Sequence, residues 1–202
     1  MRRSLPRAFY LRESCVVAPE LLGKVVVVGR CAARIVEVEA YGGADDPASH
    51  AHRGETPRTR PMFLPGGHLY VYFSYGMHWC ANVVTGPLDR GQAVLLRALE
   101  PLEGIDEMRH RRPNARRDRD LANGPGKLTQ ALGIDRLEDG IDLVVGRRAD
   151  LVADRPLGAR VRIVDDGTAP PAEPAVGPRI GLSKARETPW RFFVADSAYL
   201  SR

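Results

Sequence analysis

Cysteine is scarce in this chain: Cys15, Cys31 and Cys80 are the only three in 202 residues. An odd count, wide spacing and no Cys-x-x-Cys pair argue against a disulfide framework and against a sulfur-built zinc site. Long apolar runs are missing, which excludes a helical membrane span as an expectation. The stretch Met1 to Arg7 lacks the apolar length of a signal peptide, so a cytoplasmic location is expected, on the nucleoid if the source is bacterial. Lysine is nearly absent: only Lys24, Lys127 and Lys184 stand among 30 basic residues. There is no internal repeat and no composition break, so residues 1–202 read as one domain. What remains is 44% hydrophobic and 27% charged, enough for a soluble protein with one well-filled core. The formal charge is +5, carried by arginine. Such a bias follows from a GC-rich genome, but the arginine fork also suits phosphate, so a polyanionic partner is indicated without being specified.

The stretch Arg34 to Tyr41 alternates polar and apolar residues and predicts a β-strand. Strict alternation puts Val36, Val38 and Ala40 on one face and Ile35, Glu37, Glu39 and Tyr41 on the other. Same-face neighbours on a strand lie roughly 6.5–7 Å apart. Two carboxylates beside an aromatic ring then read either as a wet strand face or as the floor of a groove. Before this strand, Lys24 to Val28 predicts its hairpin partner, and Pro19 and Gly23 predict the start and stop of a short helix. Residues 42–67 have no clean period and predict a long loop carrying His50, His52, Arg53, Arg58 and Arg60.

Residues 68–85 are the most aromatic part of the chain. Leu69 to Ser74 and Trp79 to Thr85 predict a hairpin, with Tyr75 to His78 as the reversal and Gly76 at positive φ. Its tip presents Tyr75 and Met77, which read either as residues covered by a loop or as a wedge between stacked bases. Gly91 to Leu99 predicts a central strand whose Arg97 needs a carboxylate, with Glu37 or Glu39 the candidates. Residues 101–111 predict a helix begun by Pro101, with Leu102, Ile105 and Met108 on one stripe. Residues 109–120 form a basic run, solvated or facing phosphate. The turn Asn123 to Lys127 feeds a short helix closed at Gly133; it fails the Walker pattern, and Lys127 is a candidate for a nucleic-acid backbone contact. Residues 141–164 predict two short strands, 165–178 a linker or long loop, and Arg191 to Val194 a last strand.

Several segments together resemble the alkyladenine (3-methyladenine) DNA glycosylase family. They are 21–24, 35–41, 46–50, 56–58, 67–82, 95–101, 124–132, 178–181 and 189–192, in family order over nearly the whole chain. The resemblance implies an α+β fold: one compact domain around a curved antiparallel β-sheet with flanking helices and a protruding β-hairpin. It implies Glu39 as the general base, with Arg97 and the Ile180 carbonyl helping to hold the attacking water. It implies Tyr41, His50 and Tyr72 as the pocket around a flipped base, Asn82 at its rim, and Tyr75 as the plug for the vacated stack. No metal or organic cofactor is implied. The partner is double-stranded DNA containing damaged purines, met by a monomer, without membrane contact. Larger family members carry an N-terminal extension absent here, and segments 59–66 and 109–120 follow no family pattern.

The chemistry fits the residue types. Extruding a base costs a few kcal/mol, less for a damaged one. Stacking on tyrosines returns about 1–3 kcal/mol per base, and a cationic alkylpurine gains further attraction over a ring. An ionised Glu39, kept charged by Arg97, polarises water and stabilises an oxocarbenium-like sugar. With no lysine in the pocket, hydrolysis without a lyase step is expected. Glu37 reads as a structural partner of an arginine, Tyr70, Phe73 and Trp79 as core, and His52, His68, His78 and His110 as structural or surface. His50, His52 and His78 match no standard metal spacing. The alternative is a non-catalytic nucleic-acid-binding domain with stacking tyrosines.

Overall fold

The structure, a computed structural model, describes residues 2–148 and 160–201. In chain order the elements are β1 (Arg3–Ser4), α1 (Arg7–Tyr10), α2 (Ser14–Leu21), β2 (Val25–Val28), β3 (Cys31–Tyr41), β4 (Leu69–Ser74), β5 (His78–Thr85), β6 (Gln92–Glu103), α3 (Ile105–Arg111), α4 (Pro125–Leu132), β7 (Ile141–Asp142), β8 (Arg147–Arg148), β9 (Val161–Asp165), β10 (Ala175–Gly177) and β11 (Arg191–Phe193). The main sheet is antiparallel and curled, in the order β1-β9-β2-β3-β6-β5-β4. β11 pairs with the C-terminal half of β3, and β10 pairs with β11. The α+β class and the curved antiparallel sheet are as the resemblance implies.

The sheet has two different faces. Ile35, Val38, Ala40, Leu69, Val71, Ala81, Val83, Val94, Leu96 and Leu99 share the main core with Val17 and Leu21 of α2, Met108 of α3, and Leu128 and Leu132 of α4. The opposite face carries Tyr70, Val84 and Ala93, roofed by Ala51, Met62 and Phe63 from the 42–67 segment. That segment is organised as three short 3₁₀ helices, Gly43–Asp45, His50–Arg53 and Arg60–Phe63. A long loop that covers half a sheet is consistent with the functional weight such loops carry.

Ile35 is a correction to strict alternation: it faces the core with Val38, not the side of Glu37 and Glu39. The pairing steps from Ile35↔Leu99 to Glu37↔Ala98 to Val38↔Leu96, leaving Val36 and Arg97 as extra residues, one on each strand. These paired bulges reverse the facing of both strands at one point, as bulges beside functional sites do. They keep Ile35 and Leu99 on one side of the step, and Val38, Ala40, Leu96 and Val94 on the other, all on the core face.

Three further expectations are corrected. Pro19 lies inside α2 rather than opening it. Its missing N–H removes only the bond to the Cys15 carbonyl, while Leu22 N–H closes the last turn on the Pro19 carbonyl at 3.3 Å. Pro101 belongs to β6, opposite Ala33, and the helix starts only at Ile105 after Gly104. At Pro101 the neighbouring strand β5 has already ended, so the absent N–H interrupts no ladder on that side. Phe73 is exposed rather than core, on the hairpin face turned away from the second layer. The 109–120 run is largely self-neutralised: Arg109 pairs with Asp106 and Asp118, Arg111 with Glu107, and Arg117 with Asp120. Of the strands expected over 141–164, β7, β8 and β9 are seen, and residues 149–159 lie outside the described residues.

Candidate active site

On the second face a cavity of about 370 Å³ opens between the sheet, the 42–67 roof and the Ile180–Leu182 loop, a size suited to a small ligand. Tyr41 ends β3, Tyr72 lies on β4, Asn82 on β5, Arg97 on β6 and His50 on the roof, and all five line it together with Ile180 and Tyr75. Tyr70 is core, as expected, at 1% exposure, and it also borders the cavity from beneath Tyr72 and His50. The same-face periodicity of 70 and 72 was the signal that could have found it.

Glu39 has no exposed surface. Its Oε1 accepts the Ile180 N–H at 2.7 Å and lies 3.1 Å from Arg97 Nη1. Its Oε2 accepts the Tyr41 hydroxyl at 2.8 Å. A carboxylate has about four lone-pair sites, so one acceptor position, on Oε2, is left. The residues that hold the carboxylate are themselves cavity walls, so Glu39 sits directly behind the lining. At Ile180 it is the amide that touches Glu39, whereas the resemblance assigns the carbonyl.

Glu37, two residues earlier, is also fully buried. It accepts from Arg97 Nε at 3.0 Å, Arg191 Nη1 at 3.3 Å, and the Ser201 amide and hydroxyl at 2.6 and 2.8 Å. Arg97 thus bridges both carboxylates, and two glutamates face two arginines in a cluster of zero formal charge. Burial would lift the Glu37 carboxyl, but the Ser201 amide and the Arg97 guanidinium outweigh it and hold it below the usual range. Oε1 takes three of these donors and Oε2 the Ser201 amide, four structural contacts that support its reading as a partner rather than a catalyst.

The aromatic walls are ordered by their own contacts. Tyr70 and Tyr72 stack at 5.4 Å with 26° between planes. His50 stands edge-on to Tyr72 at 4.5 Å, with Nδ1 3.1 Å from the Tyr70 hydroxyl. Desolvation, then the Arg58 charge, lowers the His50 imidazole, which favours the neutral ring. Burial, then the charge of Glu39, raises the Tyr41 phenol and keeps it a donor. Asn82 Nδ2 donates to the Tyr70 carbonyl at 3.2 Å, and Oδ1 has no donor on it among the described residues.

The hairpin tip is exposed: Tyr75 is 85% and Met77 67% accessible. Tyr75 has φ 50° and Gly76 φ 67°, with Met77 N–H on the Ser74 carbonyl at 3.0 Å. This is the twist-matched hairpin turn, but the first central position costs a non-glycine residue roughly 1–2 kcal/mol. A bulky ring kept at a strained, solvent-facing position points to a role outside the fold. Lys127 is half-buried on α4 and donates to Asn123 Oδ1 at 2.8 Å.

A sequence model described as methylpurine-DNA glycosylase matches residues 8–198. The chain belongs to the methylpurine-DNA glycosylase family. A relative in Burkholderia lata, provisionally named 3-methyladenine DNA glycosylase, is 53% identical over 199 residues, covering 98% of this chain and 90% of its own. Relatives under the same provisional name in Rhodopseudomonas palustris and Streptomyces avermitilis are 46% and 44% identical, over 98% and 99% of this chain and 88% and 92% of theirs.

The contacts in the structure add residues to the site that the sequence left unassigned: Arg179, Asp46, Trp190, Arg191 and Ser201. Asp46, Arg179, Trp190 and Arg191 fall inside the matching segments, but nothing in their spacing tells what they face.

The buried carboxylates set an acid limit. Glu37 and Asp46 are both held below their ordinary values of 4.5 and 3.8; burial opposes this, and Ser201 with Arg97, and Arg179 with the Ala48 and Gly42 amides, outweigh it. The native state therefore binds fewer protons than the unfolded chain as pH falls through those values. Their stabilisation is complete above about pH 5 and is lost progressively below it. A melting series from pH 7 to pH 3 should decline gently below about pH 6.5, where the unfolded chain protonates His50 and His68 and the native state resists it, and fall more steeply below about pH 5. Glu37→Gln should melt lower at pH 7 and fall less steeply.

Proposed function

We propose that this protein is a monofunctional DNA glycosylase that flips a modified purine out of duplex DNA and hydrolyses its N-glycosidic bond with a water activated by Glu39. One observation supports this above the rest: a fully buried carboxylate, fixed by Ile180 N–H, Arg97 and the Tyr41 hydroxyl, stands behind a cavity walled by Tyr41, Tyr72 and His50. Tyr75 enters the stack as the purine leaves it, offsetting part of the few kcal/mol that extrusion costs. The purine stacks on the rings, with Oδ1 of Asn82 and His50 at its edge.

As the bond to the base lengthens, positive charge develops on the sugar. Glu39 faces that charge and accepts a proton from the water as its oxygen bonds to the sugar carbon; the bonding electrons leave with the base. Arg97 keeps N–H groups beyond those given to Glu37, Glu39 and Ser201, and these hold the water together with the Ile180 carbonyl. The described residues lining the cavity include no lysine, which supports release without strand cleavage. Lys127 and Met77 would touch the DNA beside Tyr75. The substrate is double-stranded DNA with damaged purines, bound by a monomer in the cytoplasm. Among the described residues no helix is long and apolar enough to cross a membrane.

The direct test is free-base release from duplexes carrying a panel of alkylated and deaminated purines. Release of at least one base with the strand left intact supports the proposal. Tight binding of undamaged single strands with no release from any duplex points instead to a binding module. Tyr75→Ser separates the two further: it should slow release from duplex about tenfold or more while barely changing release from single-stranded DNA, where no stack has to be refilled. Equal slowing on both substrates contradicts the plug.

A further inference from the structure

Arg179 is among the most enclosed charges in the molecule: its side chain is 0% exposed and its partner Asp46 is 2% exposed. The two are joined by a bidentate contact at 2.5 and 2.9 Å, and Nη1 also donates to the Ala40 carbonyl at 3.0 Å. The guanidinium lies 4.7 Å from the Tyr41 ring centroid and 5.3 Å from that of Trp190. Tyr41 also lines the cavity, so a fully buried Arg179 backs the ring on its protein side. Asp46 in turn accepts the Gly42 and Ala48 amides at 3.1 and 3.0 Å, fixing the chain that leads to His50. A Cβ at Gly42 would stand 3.1 Å from Trp190, so the packing behind the ring is tight. The very next amide along the chain, that of Ile180, is the one bonded to Glu39.

From this juxtaposition we infer that Arg179 is the positioning residue of the site: it sets the plane of the Tyr41 stacking wall and, through the Ile180 peptide, the direction of Glu39. The inference rests on the glycosylase reading for its kinetic consequence, but not for its structural one. A planar guanidinium can lie flat against a ring while forking onto a carboxylate; a lysine supplies the charge without the plate. Arg179→Lys keeps Asp46 paired and lets Tyr41 tilt.

The experiment compares the unaltered chain with Arg179→Lys, and with Arg179→Met/Asp46→Asn, which removes both charges in case the lysine fails to fold. Three readouts are taken on each variant whose melting curve shows a folded protein. They are binding to a duplex with a tetrahydrofuran abasic analogue, the fluorescence change of 2-aminopurine placed opposite a mismatch, and the single-turnover rate of base release. Both variants should bind the abasic duplex within twofold of the unaltered chain, because no base needs the wall. The 2-aminopurine change should shrink at least fivefold, and release should slow about tenfold to a hundredfold. A fluorescence change and rate within twofold of the unaltered chain overturn the inference. So does a loss of abasic binding in step with the other two, which marks general damage. If the unaltered chain releases no base at all, the glycosylase reading fails, and the fluorescence arm still decides the role of Arg179.

Discussion

Glu39→Gln should lower the single-turnover rate of base release by about 10³-fold, within the range that loss of a general base produces, and should leave binding to damaged duplex nearly unchanged. The geometry explains why the substitution is clean. Glutamine Oε1 still accepts from Ile180 N–H and Arg97, and its amide nitrogen can donate to the Tyr41 oxygen once that hydroxyl turns its proton away. The walls therefore keep their places while the proton acceptor is gone. The variant loses one negative charge from a cluster of two glutamates and two arginines, so its melting point drops by a few degrees rather than collapsing. Release at more than a tenth of the original rate, in a folded variant, would remove Glu39 from the mechanism.

Arg97→Met is the largest expected blow to stability. The guanidinium now spans Glu37 at 3.0 Å and Glu39 at 3.1 Å, and both carboxylates have zero exposure. Removing one member of a buried ionic network costs about 3–5 kcal/mol, because the partner charges stay buried. In a chain of this length that lowers the melting point by about 10 °C or more. The sign of the pH dependence is fixed by the same reasoning. Without the arginine Glu37, which it helps hold below the usual range, takes up a proton more readily, so the deficit is largest near pH 7 and narrows toward pH 4. Thermal melts of both proteins over that interval measure it. A gap that stays constant or widens on acidification shows that the arginine's charge is not what holds the two glutamates.

Much of the scaffold was legible in the chain itself. The hairpin from Leu69 to Thr85, its reversal at Tyr75 and Gly76, and the last strand at Arg191 follow from local rules of alternation and turn chemistry. Arg97 as a buried cation in need of a carboxylate followed from desolvation cost. What escaped was whatever depends on strand register or on distant chain. Ile35 was assigned to the wrong face because alternation assumes an uninterrupted ladder, and a bulge leaves no mark in composition. Phe73 looked like core because an aromatic on a strand gives no sign of whether the layer above it is filled, and it is exposed. Arg179 could not be connected with Asp46, 133 positions away, nor with the ring of Tyr41, because side-chain pairing across that separation is set by the tertiary fold alone.

The two supernumerary residues in β3 and β6 also constrain how such a gene can change. Because Val36 and Arg97 sit on opposite strands, the pairs on either side of them keep a common register: Arg34↔Glu100 and Ile35↔Leu99 before, Val38↔Leu96 and Glu39↔Leu95 after. Losing the single codon for Val36 would leave its counterpart uncompensated and slide everything beyond it by one step. Alternation would keep Glu37 and Glu39 on the second face, but Glu39 would fall opposite Leu96, a core residue, instead of Leu95. Length variation in these two strands is therefore tolerable only as a matched event in both, and inherited indels should concentrate in the surrounding loops.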